Sequence, residues 1–121
     1  MKIDLSNNSV LITGSTGGIG KALCHSFAKA NANVILHFNK QKDTAKNLIN
    51  SLSGDGHSLI QADLSNSNEI KDMVDSISDL NIVINNAALV EQIDMNKMSY
   101  NDWIDYWRKT LDINLLGPAD L

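Results

Sequence analysis

The residues best placed to do chemistry lie in one turn, Thr13-Gly-Ser-Thr-Gly-Gly-Ile-Gly20. It follows the apolar run Val10-Leu-Ile12, which reads as a buried strand. It leads into a segment where Ile19, Leu23, Phe27 and Ala30 recur at helical spacing, predicting a helix with those residues on its buried stripe. A glycine-rich turn between strand and helix suits an anion. Gly14 permits a sharp turn without a Cβ clash, and Gly18 or Gly20 lets a phosphate approach the main chain or the helix pack close to the sheet. Free N–H groups at the helix start, with its positive dipole end, then face the negative charge. A nucleoside-triphosphate P-loop is excluded, because Ser15 stands where its first glycine belongs and Ala22 replaces the hydroxyl that would hold magnesium. The Gly-x-Gly-x-x-Gly dinucleotide fingerprint fails at Thr16.

The spacing that does fit, T-G-x-x-x-G-x-G, resembles the short-chain dehydrogenase/reductase family. The resemblance implies an α/β Rossmann-type fold, an oxidoreductase that passes hydride between NADP(H) and an alcohol or carbonyl substrate, and Gly14, Ser15, Thr16, Gly18, Ile19 and Gly20 as cofactor-binding residues. Four further positions support it. The second strand ends in His37-Phe-Asn-Lys40 with no acid to repel a 2′-phosphate, so Asn39 and Lys40 are expected at the ribose and NADP is favoured over NAD. Relatives that prefer NADP often carry a basic residue just before the second motif glycine, where this chain has Gly17. Asp63-Leu64 matches the family position that holds the adenine. Asn85-Asn-Ala-Ala88 resembles the family's N-N-A-G, which stiffens the sheet centre and lines the cofactor's ribose, and implicates Asn86, Ala87 and Ala88. Ala88 replaces the usual glycine and fits if its φ is negative. The same segment separates the chain from the extended, epimerase-like subgroup, whose T-G-x-x-G-x-x-G also fits Gly14, Gly17 and Gly20. Asn114 matches the family's catalytic asparagine, which helps to hold a water in a proton relay.

The family's catalytic serine and Tyr-x-x-x-Lys have no counterpart here. Tyr100 has Ile104 four residues on, and Tyr106 has Thr110. The chain therefore reads as the N-terminal half of a reductase, inactive by itself. The alternative is a nucleotide-binding module without catalysis, or a decayed, truncated product. Coding sequence after Leu121 that supplies the serine, tyrosine and lysine would select the first reading, and a genuine stop codon the second.

The elements that must position these residues alternate. Val34-Ile-Leu-His-Phe38, Ser58-Leu-Ile-Gln-Ala62 and Leu80-Asn-Ile-Val-Ile84 read as further strands, apolar enough for a sheet covered on both faces. Asn31 is expected to end the first helix. A second helix runs through Ala45, Leu48, Ile49 and Leu52 to Ser53-Gly-Asp-Gly56. A third is capped by Asn66 with Glu69 and buries Ile70, Val74 and Ile77. A fourth opens at Ser99 with Asp102 and carries Trp103, Trp107 and Leu111 on one stripe. Alternation of this kind predicts a doubly wound parallel sheet in the order 3-2-1-4, with helices on both faces and a single domain over residues 1–121. Ala88 to Met98 is the one long loop, either a substrate border or a plain connection.

Composition sets the remaining bounds. Of 121 residues 43% are hydrophobic, which suffices for one core, and the net charge of −4 argues against a nucleic-acid partner. No apolar run of about 18 residues predicts a membrane span, and the N-terminus shows no secretory signal. The single cysteine, Cys24, is expected to be a small core residue. His25, His37 and His57 lack ligand spacing, and no metal is expected. These features suggest a soluble, cytoplasmic protein with a small-molecule substrate; the resemblance adds homo-oligomerisation at full length.

Overall fold

In a computed structural model of the chain, residues 2–121 are described. Strand β1 (Ser9–Ile12) is flanked by β2 (Asn33–Phe38) and β4 (Ile82–Ile84), and β3 (Ser58–Gln61) pairs with the far side of β2. All pairings are parallel and the order is β3-β2-β1-β4, as the alternation of strands and helices predicts. The connecting helices are α1 (Gly18–Lys29), α2 (Lys42–Ser51) and α3 (Ser67–Ser76). A fourth helix, α4 (Tyr100–Leu111), runs through a π-helical turn (Asp112–Leu116) into the short α5 (Gly117–Asp120).

Successive side chains of a strand point to opposite faces, and the core divides accordingly. Val10, Ile12, Val34 and Leu36 meet Cys24 and Ala28 of α1 and Leu48 of α2 on one face. Leu11 meets Ala62, Leu64 and Ile70 and Met73 of α3 on the other. Both faces of β1 are thus covered, and each large side chain buried there contributes about 1.5–3 kcal/mol. Asn31 does end α1, adopting φ 67° just past the last helical turn. Among the described residues no helix is long and apolar enough to cross a membrane.

Three expectations need correction. Ile19 leaves the buried stripe of α1 and is 73% exposed, because the first turn of the helix presses Gly20 against the Gly14–Ser15 backbone and turns Ile19 outward. The fourth strand begins at Ile82, not Leu80. Asn81 continues the pairing with Ser9 by other means, its side-chain oxygen accepting from the Ser9 N–H at 2.8 Å. Helix α2 ends at Ser51, so Leu52 packs into the core from an extended backbone. Helix α4 is capped as expected, Ser99 Oγ accepting from the Asp102 N–H, yet it holds no buried residue.

Candidate functional site

The turn after β1 is held from inside. Gly14 has φ 63°, and its N–H donates to Nδ1 of His37 at 3.1 Å. The next amide, Ser15 N–H, donates to the His37 carbonyl. Ser15 itself is fully buried, its Oγ donating to the Ile12 carbonyl at 2.6 Å. Neither its hydroxyl nor its N–H reaches a ligand from there; its contribution is to the shape of the turn. The first intrahelical bond of α1 runs from Lys21 N–H to the Gly17 carbonyl, so the amides of Gly18, Ile19 and Gly20 open the helix without intrahelical acceptors. No acidic residue in the first turn opposes the positive end of the dipole.

The structure also separates the two glycines that the sequence leaves interchangeable. A Cβ on Gly20 would strike the Gly14 carbonyl and lie 2.8 Å from Ser15 Cα, so Gly20 serves close packing. A Cβ on Gly18 would meet nothing within 4 Å. Gly18 faces a cavity of about 400 Å³ that Gly14, Thr16, Ile19, Gln41 and the Asn86–Ala88 segment also line.

That segment is stitched to the turn through Thr13. Thr13 Oγ1 accepts from the N–H groups of Asn86 and Ala87, each at 3.0 Å, and donates to the Ile84 carbonyl. The Asn86 side-chain amide donates to the carbonyls of Thr13 and Gly14. Ala88 has no positive φ; among the described residues only Asn7 and Asn31 do so without being glycine. Thr13→Val keeps the shape but leaves two amides without an acceptor. It should cost about 2–6 kcal/mol at roughly 1–3 kcal/mol per orphaned group, read as a lower urea midpoint with unchanged slope.

A second cavity, about 380 Å³, continues the first past Gly14, Thr16, Gln41, Ala87 and Ala88. Asn39, Lys40, Asp63, Leu64 and Ile113 also line it. Asp63 Oδ1 accepts from both the N–H and the hydroxyl of Ser65. Those bonds, then Lys40 and Lys109 nearby, hold its carboxyl below the usual carboxylate range. The other carboxylate oxygen stays available. The expected cap of α3 forms at Asn66, which accepts from Asn68 and Glu69 N–H, but Glu69 reaches past it to the Asp63 N–H at 2.7 Å. The cap thereby fixes the backbone of a cavity residue.

Asn114 stands outside both cavities. Its side chain clamps the backbone of Leu89, Oδ1 accepting from the N–H at 2.7 Å and Nδ2 donating to the carbonyl at 2.9 Å. It therefore ties the π-helical turn to the chain leaving β4. Nothing in the residue pattern marks His37, Gln41 or Ile113 as cavity residues. Gln41 could have been found as the residue after Lys40 that immediately precedes α2 at the carboxyl ends of the strands.

Comparison with known proteins agrees with this fold. The family model described as short chain dehydrogenase matches residues 8–121. An uncharacterized oxidoreductase of Bacillus subtilis, YvrD, is 38% identical over 124 aligned residues, covering 98% of this chain and 45% of its own. Among solved structures, BdcA in complex with NADPH superposes with a TM-score of 0.79 at 27% identity, over 95% of this chain and 44% of that one. The FolM alternative dihydrofolate reductase of Brucella canis, complexed with NADP, superposes at 0.77 with 26% identity, over 94% and 47%. The chain spans about half the length of the curated relatives it matches.

Proposed function

The chain belongs to the short-chain dehydrogenase family, and from that membership we propose that it is the cofactor-holding half of an NADP(H)-dependent oxidoreductase acting on an alcohol or carbonyl compound. The observation that carries this reading is the continuous cleft along the carboxyl ends of the strands, with unpartnered amides at one end and Lys40 and Asp63 at the other. The open space at Gly18 and the absence of an acid in the first turn of α1 fit a pyrophosphate there. The free oxygen of Asp63, with Leu64 beside it, fits an adenine amino group and ring. Lys40 and Asn39 fit a 2′-phosphate, and Asn86 to Ala88 form the wall toward the nicotinamide ribose.

When bound, the nicotinamide supplies or accepts the hydride. The chain's own residues bind and orient it. Asn114 holds the start of the long loop through Leu89; in the family pattern this asparagine helps to hold a water in the proton relay. The serine, tyrosine and lysine of the family pattern are not among these 121 residues, so acid–base catalysis, worth about 10²–10⁴ in rate, is assigned to sequence beyond them. Homo-oligomerisation through α4 and a cytoplasmic location complete the proposal.

Calorimetric titration with NADPH and NADH tests it. NADPH should bind more tightly, and Lys40→Ala should weaken NADPH selectively by about 1 kcal/mol or more, as expected for a lost charge-assisted contact. Equal affinities that the substitution leaves unchanged would overturn the assignment to NADP. Binding without turnover in a chain extended through the family's lysine would favour the non-catalytic module.

A further inference from the structure

His37 is almost completely buried, 2% exposed, and lines the second cavity, and no role in the preceding scheme uses it. Its two ring nitrogens make different bonds. Nδ1 takes the Gly14 N–H at 3.1 Å, and Nε2 lies 2.9 Å from the Ala62 carbonyl. An N–H can only donate and a carbonyl can only accept, so the ring is neutral with its proton on Nε2. One side chain thus joins the first glycine of the phosphate turn to the residue preceding Asp63.

We propose that His37 is a positioning residue for the nucleotide cleft: its unprotonated Nδ1 holds the Gly14 amide and so keeps the phosphate turn in the shape that receives the cofactor. The proposal rests on the cleft being a nucleotide site. Gly14 adopts φ 63° and its amide is turned toward the buried ring, so loss of that acceptor leaves the amide without a protein partner. The neighbouring bond from Ser15 N–H goes to the His37 carbonyl and survives any side-chain change, so the ring's own contribution can be isolated. A second proton would set N–H against N–H at Gly14. Burial also pushes the ring's pKa down, the bond to Ala62 opposing this in part. The turn residues Thr13 to Thr16 bring no titratable group to the ring, and neither do Ile60 across the β3 pairing or Ile113. Lys40 and Asp63 are the charged side chains lining the same cavity, and neither hydrogen-bonds the ring. No carboxylate therefore holds a proton on His37, and acid should disfavour the cradle.

The test combines ¹⁵N-histidine NMR of the ligand-free chain with NADP⁺ titrations of wild type, His37→Asn and His37→Leu. Asn retains an acceptor at the Nδ1 position; Leu has none. We expect an Nε2–H tautomer that stays neutral through the range where an unperturbed histidine titrates, about pH 6.5. At pH 7.5 the Asn variant should bind within about 3-fold of wild type and the Leu variant about 10-fold or more weakly. At pH values low enough to protonate the ring, wild type should lose affinity relative to the Asn variant. The cofactor's own 2′-phosphate titrates near pH 6 against both proteins alike and cancels in that ratio. A proton on Nδ1, or a folded Leu variant that binds as wild type does, would overturn the proposal. If the Leu variant does not fold, the tautomer and the Asn-to-wild-type ratio at acid pH decide. If wild type binds no NADP⁺, the nucleotide reading fails. His37 is then judged on the tautomer and on whether the Gly14 amide resonance moves in Leu but not in Asn.

Discussion

Gly18→Val is expected to leave folding nearly intact and to weaken NADPH at least 100-fold, about 2.7 kcal/mol, while Gly20→Ala is expected to unfold the protein far more readily. The two glycines are two residues apart in one turn, yet they face opposite ways. A side chain at Gly18 projects into the cleft where the amides of Gly18, Ile19 and Gly20 open α1. In the ligand-free protein it meets nothing; the cost appears only when an anion must approach the main chain. At Gly20 even a methyl group meets the Gly14 carbonyl, the Ser15 backbone and, at 3.0 Å, the Asn86 side-chain nitrogen. Backbone cannot yield as a flexible side chain can. Overpacking of this kind costs about 1–3 kcal/mol or more, and it strikes the atoms that join the turn to the chain leaving β4. Urea unfolding separates the two effects from binding. A Gly18→Val protein that keeps its affinity would show that the pyrophosphate does not lie at this turn, and a Gly20→Ala protein of normal stability would show that α1 can move off the sheet.

Much of this arrangement was legible in the sequence, and the exceptions share a cause. Strand order followed from apolar runs alternating with helical patterns, since only a parallel sheet covered on both faces buries Val10-Leu-Ile12 and Val34-Ile-Leu36 on two sides. The clustering of Gly18, Lys40, Asp63 and Asn86 at one end of the sheet followed from each standing just past a strand. Ile19 was misread because periodicity counts apolar residues without knowing which way the first turn of a helix faces. The bonds of Asn114 to Leu89 and of Glu69 to Asp63 join residues whose proximity depends on three-dimensional chain paths. His37 was hidden for a different reason. It lies inside a strand that reads as plainly apolar, and nothing local marks a buried imidazole as the acceptor for an amide 23 residues earlier.

Produced alone, residues 1–121 are expected to self-associate. In β4, Val83 is 37% exposed and Ile82 and Ile84 are half-buried, whereas every residue of β1 is buried. One edge of β4 pairs with β1; the other presents unpaired backbone beside apolar side chains, which is a template for another strand. Beyond it, Trp107, Leu111, Leu115 and Leu116 are each 43–59% exposed along α4 and the π-helical turn. Trp103 and Trp107 pack edge to face at 5.6 Å, but on each other and not into a core. Each large side chain left wet forgoes about 1.5–3 kcal/mol of burial, and a domain's whole stability is about 5–15 kcal/mol. Covering three or four of them in a dimer or larger particle therefore changes stability by as much as the fold itself provides. Light scattering should report a mass above the monomer's 13.2 kDa that grows with concentration, and the urea midpoint should rise with it. Charge on the β4 edge, introduced as Val83→Lys, should reduce the mass if strand pairing drives assembly, whereas Trp107→Glu should do so if the helix face does. A monomer at all concentrations, with one sharp transition of ordinary stability, would instead identify these residues as a self-sufficient binding module, because a chain that tolerates an open β4 edge and a wet tryptophan stripe has no need of a partner to fold.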